Sequence, residues 1–236
     1  MARKLPVELV QTRKNYILFK NDCGVTDMTR RGGSYEHYIH DYIKENVPTE
    51  GRNIVDIGAN FGWHTLEFAD MVGEGMVYAF EPQRIVYYQL CANALLNGYS
   101  NITAYNIGMG DHHNFLQMEN PNYFDSGTIN IGNAHLNAYT QSHNVVEVRT
   151  LDSYNFTNLA VLKIDVQGYE PFVLDGAKET INKNKPVIFI EVEEPQLQIY
   201  GFTGQDIFKR LDVLGYSYEK VINADHLVDY VAKPIN

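Results

Sequence analysis

Residues 53–62, N-I-V-D-I-G-A-N-F-G, constrain the fold of this chain more than any other stretch. An apolar run carries Asp56 near its end and breaks into a turn with Gly58 and Gly62, and a helical pattern follows from Trp63. Glycine turns the chain tightly at little steric cost and lets another group approach the backbone to contact distance. The next apolar run, M-V-Y-A-F-E, closes on a second acidic residue, Glu81. Strand, glycine turn, helix, strand and terminal carboxylate is the order in which an open α/β sheet presents a carboxylate to a ribose.

The flanking sequence extends this alternation. Residues 1–33 are mixed, with Tyr16-Ile17-Leu18-Phe19 as a short strand. After Ser34, the residues Tyr35, Tyr38, Ile39, Tyr42 and Ile43 recur on one helical face, and Pro48–Gly51 stops that helix. Beyond the glycine turn the spacing predicts a helix over Trp63–Val72 and a strand over Met76–Phe80. A helix over Gln83–Asn97 places Ile85, Tyr88, Ala92 and Leu95 inward and ends at Gly98, a suitable C′ residue. Strand Ile102–Asn106 follows, then a long segment, His112–His143, rich in Asn, His and Tyr. Strand Ala160–Asp165 leads into a helix with Pro171 in its first turn and Val173, Leu174, Ala177 and Ile181 inward. Strand Val187–Val192 comes next. Thr203-Gly-Gln-Asp206 has capping-box form and opens a helix ending at Gly215, with Ile207, Phe208, Leu211 and Leu214 inward. The runs Tyr216–Ile222 and Leu227–Val231 form a closing hairpin around Asn223-Ala-Asp225.

Strands alternating with helices of this length specify a mainly parallel sheet covered on both faces. Asp56, Glu81, Asn106, Asp165 and Glu191 fall at or near strand exits, where such sheets bind ligands. The formal charge of −10 argues against a nucleic-acid partner, which would need a basic stripe, and Arg30-Arg31 is too short to supply one. Cys23 and Cys91 match no metal spacing and read as reduced thiols. The opening M-A-R-K-L-P-V-E-L-V has no apolar core, and no later run is long enough to span a membrane. A cytoplasmic location is the expectation.

The turn reads G-x-x-x-G, neither the G-x-G-x-x-G of a pyrophosphate-binding dinucleotide fold nor a P-loop. A nucleoside without phosphates fits it better. Asp56 would face a positive group, and Glu81 is placed to grip two ribose hydroxyls. S-adenosylmethionine combines a ribose with a cationic amino-acid tail. The competing explanation is that the glycines merely let helix and strand pack closely.

The strings V-D-I-G-A-N-F-G-W-H-T, A-F-E-P, T-L-D-S-Y, V-L-K-I-D-V-Q-G-Y-E-P-F-V-L-D-G-A and K-P-V-I-F-I-E-V resemble the FkbM family of S-adenosylmethionine-dependent methyltransferases, over residues 34–195. Gln167 departs from the Glu more common there. The resemblance implies a class I methyltransferase fold, Rossmann-like, with a seven-stranded sheet, helices on both faces and an antiparallel last strand. The chain reads as a single methyltransferase domain over 1–236, with 1–50 as an N-terminal extension and helix and 112–144, a long connection poor in aliphatic residues, as an acceptor-binding insertion. Asp56, Gly58, Ala59, Asn60, Phe61 and Gly62 would line the methionine part of the cofactor. Glu81, followed by Pro82, would hold the ribose, and Asn106, Ile107 and Gly108 would border the adenine.

The implied reaction is O-methylation of a sugar, glycan or related small molecule. A neutral alcohol is a poor nucleophile, so a base or a metal is expected near the methyl group. Asp165 is the first candidate and Glu191 the second, the alternative being that Asp165 only hydrogen-bonds the cofactor or the backbone. The two could also hold Mg²⁺, although no third ligand is obvious. His64, His112, His113, His135 and His143 are other basic residues, each more plausibly structural. Glu170, directly before Pro171, reads as a helix cap. Tyr123, Phe124 and Tyr139 could stack on a sugar ring from the 112–143 segment. The rival readings are a cofactor-binding module without catalysis and a metal-assisted O-methyltransferase. A nucleic-acid amino-methylating enzyme would need N/D-P-P-Y/W where this chain has D-V-Q-G. Nothing in the sequence identifies the acceptor or the oligomeric state.

Overall fold

A computed structural model describes residues 4–33, 35–125, 127–137, 144–221 and 229–235. The chain begins with a hairpin of β1 (Val7–Gln11) and β2 (Asn15–Phe19), then helices α1 (Val25–Arg30) and α2 (His37–Asn46). The alternating part follows as β3 (Asn53–Ile57), α3 (Trp63–Met71), β4 (Val77–Phe80), α4 (Arg84–Leu96) and β5 (Ile102–Tyr105). Four short strands come next: β6 (Gly108–Met109), β7 (Asn114–Glu119), β8 (His135–Asn137) and β9 (Val145–Arg149). The chain returns through β10 (Leu159–Ile164), α5 (Glu170–Asp175), α6 (Lys178–Asn184) and β11 (Val187–Glu191). It closes with α7 (Glu194–Ile199), α8 (Gly204–Val213), β12 (Tyr216–Lys220) and β13 (Asp229–Pro234).

The main sheet has the order β12-β13-β11-β10-β3-β4-β5. Strands β11, β10, β3, β4 and β5 run parallel. Strand β13 is antiparallel to both of its neighbours, so the sheet is mixed. Every residue of β10 is buried, as a central strand covered on both faces requires. Alternate side chains divide between the faces. Val55, Ile57, Leu162 and Ile188 pack with Val173, Leu174 and Leu211 on one side, while Ile54, Val161 and Phe189 pack with Ile39, Ile43 and Phe68 on the other. Helices α5, α6 and α8 therefore cover one face, and α2 and α3 the other.

Two expectations change. The inner side of α4 is Val86, Gln89, Leu90, Asn93 and Ala94, whereas Tyr88 and Leu95 are exposed. The helix turns polar residues inward because they satisfy the free backbone of β2. Gln89 Nε2 donates to the Ile17 carbonyl at 2.7 Å, and Asn93 Oδ1 accepts from the Ile17 amide at 2.6 Å. One turn on, Asn97 Oδ1 accepts from the Asn15 amide at 2.9 Å. The strand edge is thereby covered by side chains of a helix.

The single helix expected after Asp165 is divided between α5 and α6. Gly176 lies so close to the Gly110 carbonyl that a Cβ would sit 1.9 Å from its oxygen, and the chain bends at this approach. Asp152 then accepts from the Glu179 and Thr180 amides at 3.1 and 2.7 Å, satisfying the start of α6. Val173, Leu174, Ala177 and Ile181 are nonetheless all buried.

Among its described residues the 112–144 segment carries β7 and β8, which join β6 and β9 in a second sheet of order β6-β9-β7-β8. It is tied to the N-terminal segment. Asp22 Oδ1 accepts from the Ile131 amide at 2.9 Å, and the Cys23 amide donates to the Ile129 carbonyl at 3.0 Å. In the closing hairpin β12 and β13 pair as far as Lys220 and Tyr230, while Asn223-Ala-Asp225 lies outside the described residues. Among the described residues no helix is long and apolar enough to cross a membrane.

Candidate active site

A cavity of about 270 Å³ opens at the carboxyl ends of β3, β4, β10 and β11. Gly58, Ala59, Asn60 and Phe61 form one wall, with Glu81, Pro82 and Gln83 beside them. Ile107 and Gly108 close another side, and Lys163, Asp165, Gln167 and Glu191 lie across the opening. The N-terminal segment contributes Tyr35, and the middle segment contributes Asn130, Gly132, Ala134 and Leu136.

The glycine turn is dictated first by packing. A Cβ on Gly58, at φ 80°, would stand 1.7 Å from the Asp165 carbonyl oxygen. One on Gly62, at φ 93°, would meet Leu90 Cδ1 at 2.6 Å. The close-packing explanation therefore holds for both, and Gly58 in addition lines the cavity. Asn60 takes the left-handed conformation at φ 50°, which aligns its amide with Glu81.

Glu81 is almost fully buried, and both of its oxygens are held by backbone. Oε2 accepts from the Asn60 amide at 2.9 Å, and Oε1 from the Gln83 amide at 2.8 Å. Each oxygen keeps a lone pair for a ligand hydroxyl. Burial pushes the Glu81 carboxyl up to about 7 despite those two amides. Gln83 is itself fixed, donating to the Ile131 carbonyl at 2.8 Å and accepting from the Tyr123 hydroxyl at 2.9 Å. Tyr123 is thus a buried strut stacked on Phe19, not a free platform for a sugar ring. Phe124 is partly exposed, and Tyr139 lies outside the described residues.

Asp56, Gly62 and Asn106 do not line the cavity. Asp56 is fully buried, its Oδ2 accepting from the Thr65 hydroxyl at 2.6 Å, and burial raises its carboxyl. In the sheet register it stands opposite Lys163 on β10. Asn106 Nδ2 donates to the Glu81 and Pro82 carbonyls, both at 2.9 Å, and so braces the chain that carries Glu81.

Lys163 is the residue that sequence reading passed over, although a lysine inside the apolar run A-V-L-K-I-D was the signal. It is 3 % exposed. Burial favours its neutral form, but Asp165, Asp56 and Glu36 outweigh that and hold it cationic. Its Nζ donates to Asp165 Oδ2 at 3.0 Å. Burial alone would raise Asp165, but the Lys163 ammonium keeps its carboxyl below the usual range. Glu191 is moved the opposite way. Burial first, then the charge on Asp165, push it well above the usual range. Gln167 Nε2 joins the two carboxyls, donating to Asp165 Oδ1 at 3.3 Å and Glu191 Oε2 at 3.1 Å.

Glu170 braces the same loop, its Oε1 accepting from the Val166 and Gly168 amides at 2.9 and 3.2 Å. His112 and His113 are exposed beside Asp111 and Glu147, His135 contacts Gln196 at 2.6 Å, and His143 lies outside the described residues. His64, by contrast, is buried at the cavity wall. Among the described residues no three His, Cys, Asp or Glu converge in a way that could hold a metal ion.

The chain matches the methyltransferase FkbM domain over residues 56–218, more than half its length. It belongs to the FkbM methyltransferase family. Membership assigns S-adenosylmethionine as the methyl donor. Among solved structures the chain is similar to the methyltransferase FkbM of Methylobacillus flagellatus, at 19% identity and TM-score 0.54, over 77% of this chain. It spans 43% of that protein's length. It is similar also to a SAM-dependent methyltransferase of Aquifex aeolicus, at 13% identity and TM-score 0.50, over 85% of this chain and 93% of the other. At such identities the likeness is one of fold, an α/β architecture with a mostly parallel sheet. No curated protein matches the sequence.

Proposed function

We propose that this protein is an S-adenosylmethionine-dependent O-methyltransferase acting on a hydroxyl of a sugar, glycan or related small molecule. The observation that carries the reading is the division of labour across one cavity. A backbone-tethered carboxylate, Glu81, stands on one side, and a pair of carboxyls with opposed ionisation, Asp165 and Glu191, on the other.

The donor set fits the cofactor. Glu81 keeps two free lone pairs for a diol, and Ile107 gives an apolar edge for a purine. The anionic Asp165 would attract the cofactor's cationic centre. When bound, the sulfonium nucleoside supplies an electrophilic methyl group. Asp165 is a weak base because Lys163 stabilises its ionised form, whereas Glu191, raised toward neutrality, is the better proton acceptor once ionised. Glu191 therefore takes the acceptor proton, Asp165 orients and polarises, and Gln167 fixes the spacing between them. This reverses the order in which the sequence ranked the two. The 112–144 segment, which lines the cavity with Asn130 and Gly132, serves as the acceptor-side cover.

Incubation with methyl-labelled S-adenosylmethionine and a pool of oligosaccharides tests the reading, with titration calorimetry as the binding control. Glu191→Gln is expected to lower kcat by about 10²-fold while cofactor affinity stays close to wild type. Asp165→Asn should weaken both. Tight cofactor binding with no label entering any sugar would remove the acceptor class.

A further inference from the structure

Three side chains connect the main cavity with a second one. Tyr35 and His64 both line the main cavity, and Glu36 follows Tyr35 along the chain. Glu36 Oε2 lies 2.9 Å from His64 Nε2, and His64 Nδ1 lies 2.8 Å from His40 Nε2. His40 lines a cavity of about 310 Å³ whose walls include Arg13, His37, Asp41 and Lys44. Those four wall residues are all exposed, so this cavity reaches solvent. Trp63 borders both cavities, and its Nε1 donates to the Tyr35 carbonyl at 2.8 Å, fixing the partition between them.

We infer that Glu36, His64 and His40 form a proton exit from the methyl-transfer cavity, beside Tyr35, to the second, solvent-facing cavity. The inference rests on the O-methyltransferase reading, because that reaction releases one proton per turnover. The alcohol oxygen forms a bond to the methyl carbon, the carbon–sulfur bond breaks with its electron pair going to sulfur, and the hydroxyl proton is left over. Glu191 takes that proton and is reset by returning one to the cavity, and Glu36, beside Tyr35, takes one up. Glu36 in turn passes one to His64 Nε2, His64 Nδ1–H gives its proton to His40 Nε2, and His40 Nδ1–H releases one to water. Each ring starts and ends neutral with its tautomer exchanged, because a neutral imidazole has one N–H donor and one accepting nitrogen.

The surroundings favour this use over a static brace. Glu36 holds the left-handed conformation at φ 45°, a strain that a non-glycine residue keeps only where the structure insists on its position. It faces Lys163, Asp165 and Asp229 across the packed interior, and burial, then Asp165, against the pull of Lys163, bring it to about 7, midway between donor and acceptor. Burial holds both histidines neutral, His40 with the further help of Lys44 and Arg13. Phe68 packs against both rings and excludes water along their shared side.

The test uses wild type, Glu36→Gln and His40→Ala with labelled S-adenosylmethionine and the oligosaccharide pool. Both variants are expected to lose about 10²-fold in kcat with KM for the cofactor little changed. Added imidazole, entering through the second cavity, should restore His40→Ala but not Glu36→Gln. Variants that bind the cofactor by calorimetry and turn over at the wild-type rate overturn the relay, as does a slow His40→Ala that imidazole leaves unchanged. If wild type methylates nothing, the acceptor class fails, and ¹⁵N spectra of histidine-labelled protein then decide the relay. Neutral rings exchanging between tautomers support it, and one frozen tautomer at each ring refutes it.

Discussion

Gly58 shows how much a single residue settles here. Its φ of 80° and its approach to the Asp165 carbonyl make the position intolerant of any side chain, whether or not a ligand is bound. Gly98 has a similar φ of 74° but open space where a Cβ would stand. The two are a matched pair in which conformation is held constant and packing varies. Gly98→Ala should cost about 1 kcal/mol, the penalty of the left-handed region alone. Gly58→Ala should cost roughly 3 kcal/mol or more, because the β3 turn must move away from β10. Chemical denaturation midpoints compare them directly. Equal losses would mean that the contact with Asp165 relaxes freely and that the turn owes its glycine to backbone conformation. Lys163 carries a comparable lesson in electrostatics, since its one charge keeps Asp165 ionised, and that ionised Asp165 adds to the burial that raises Glu191.

At the scale of elements, the clearest device is the row Gln89, Asn93 and Asn97 on α4. These residues recur at one-turn intervals and face the β2 edge, so a helix supplies the partners a neighbouring strand would otherwise give. Asn93 also donates from Nδ2 to the Phe61 carbonyl at 2.9 Å, which links the N-terminal hairpin to the glycine turn. Asn93→Leu leaves a part-buried amide and a buried carbonyl unpaired, and a loss of about 2–4 kcal/mol is expected. The same variant should weaken S-adenosylmethionine binding, because Phe61 belongs to the cavity wall. Calorimetry and thermal melts together check both outcomes. The boundaries of α3 and α4 and the capping box at Thr203 were readable from sequence, since caps depend on adjacent residues. The inward face of α4 was not. Periodicity assigns apolar residues to the interior, and nothing local reports that a distant strand edge needs amides.

For the whole molecule, buried carboxyls dominate the response to pH. Glu36, Glu81, Glu170 and Asp229 all lie at about 7, above their ordinary values, with burial the largest cause for each. The folded state therefore holds more protons on these groups than the unfolded state between their ordinary range and about pH 7. By linkage, their contribution is present below that range and is lost as pH rises through the folded values. The buried histidines act with the opposite sign, since their folded values are lowered, but their effect is confined to pH below about 6.5. Above that pH the carboxyls act alone. The melting temperature of the cofactor-free protein should thus fall between pH 6.5 and 8.5, and Glu36→Gln should flatten the slope. A melting temperature that rises over this interval would contradict the buried, near-neutral state of these groups.

What the sequence determined by itself was the alternating order of strands and helices, the glycine turn, and the acidic residues at strand ends. All of these depend on neighbours within a few positions, where propensity and spacing act directly. The tertiary structure decided which of those residues share a cavity. It turned Asp56 toward Thr65 and Lys163, made Asn106 a brace, and made Tyr123 a buried strut. It also joined Glu36, His40 and His64, which stand 24 and 28 positions apart along the chain in their hydrogen-bonded pairs. Ionisation followed the same route. A carboxyl's affinity for its proton depends on burial and on charges brought near by folding, and neither quantity is written in the order of residues.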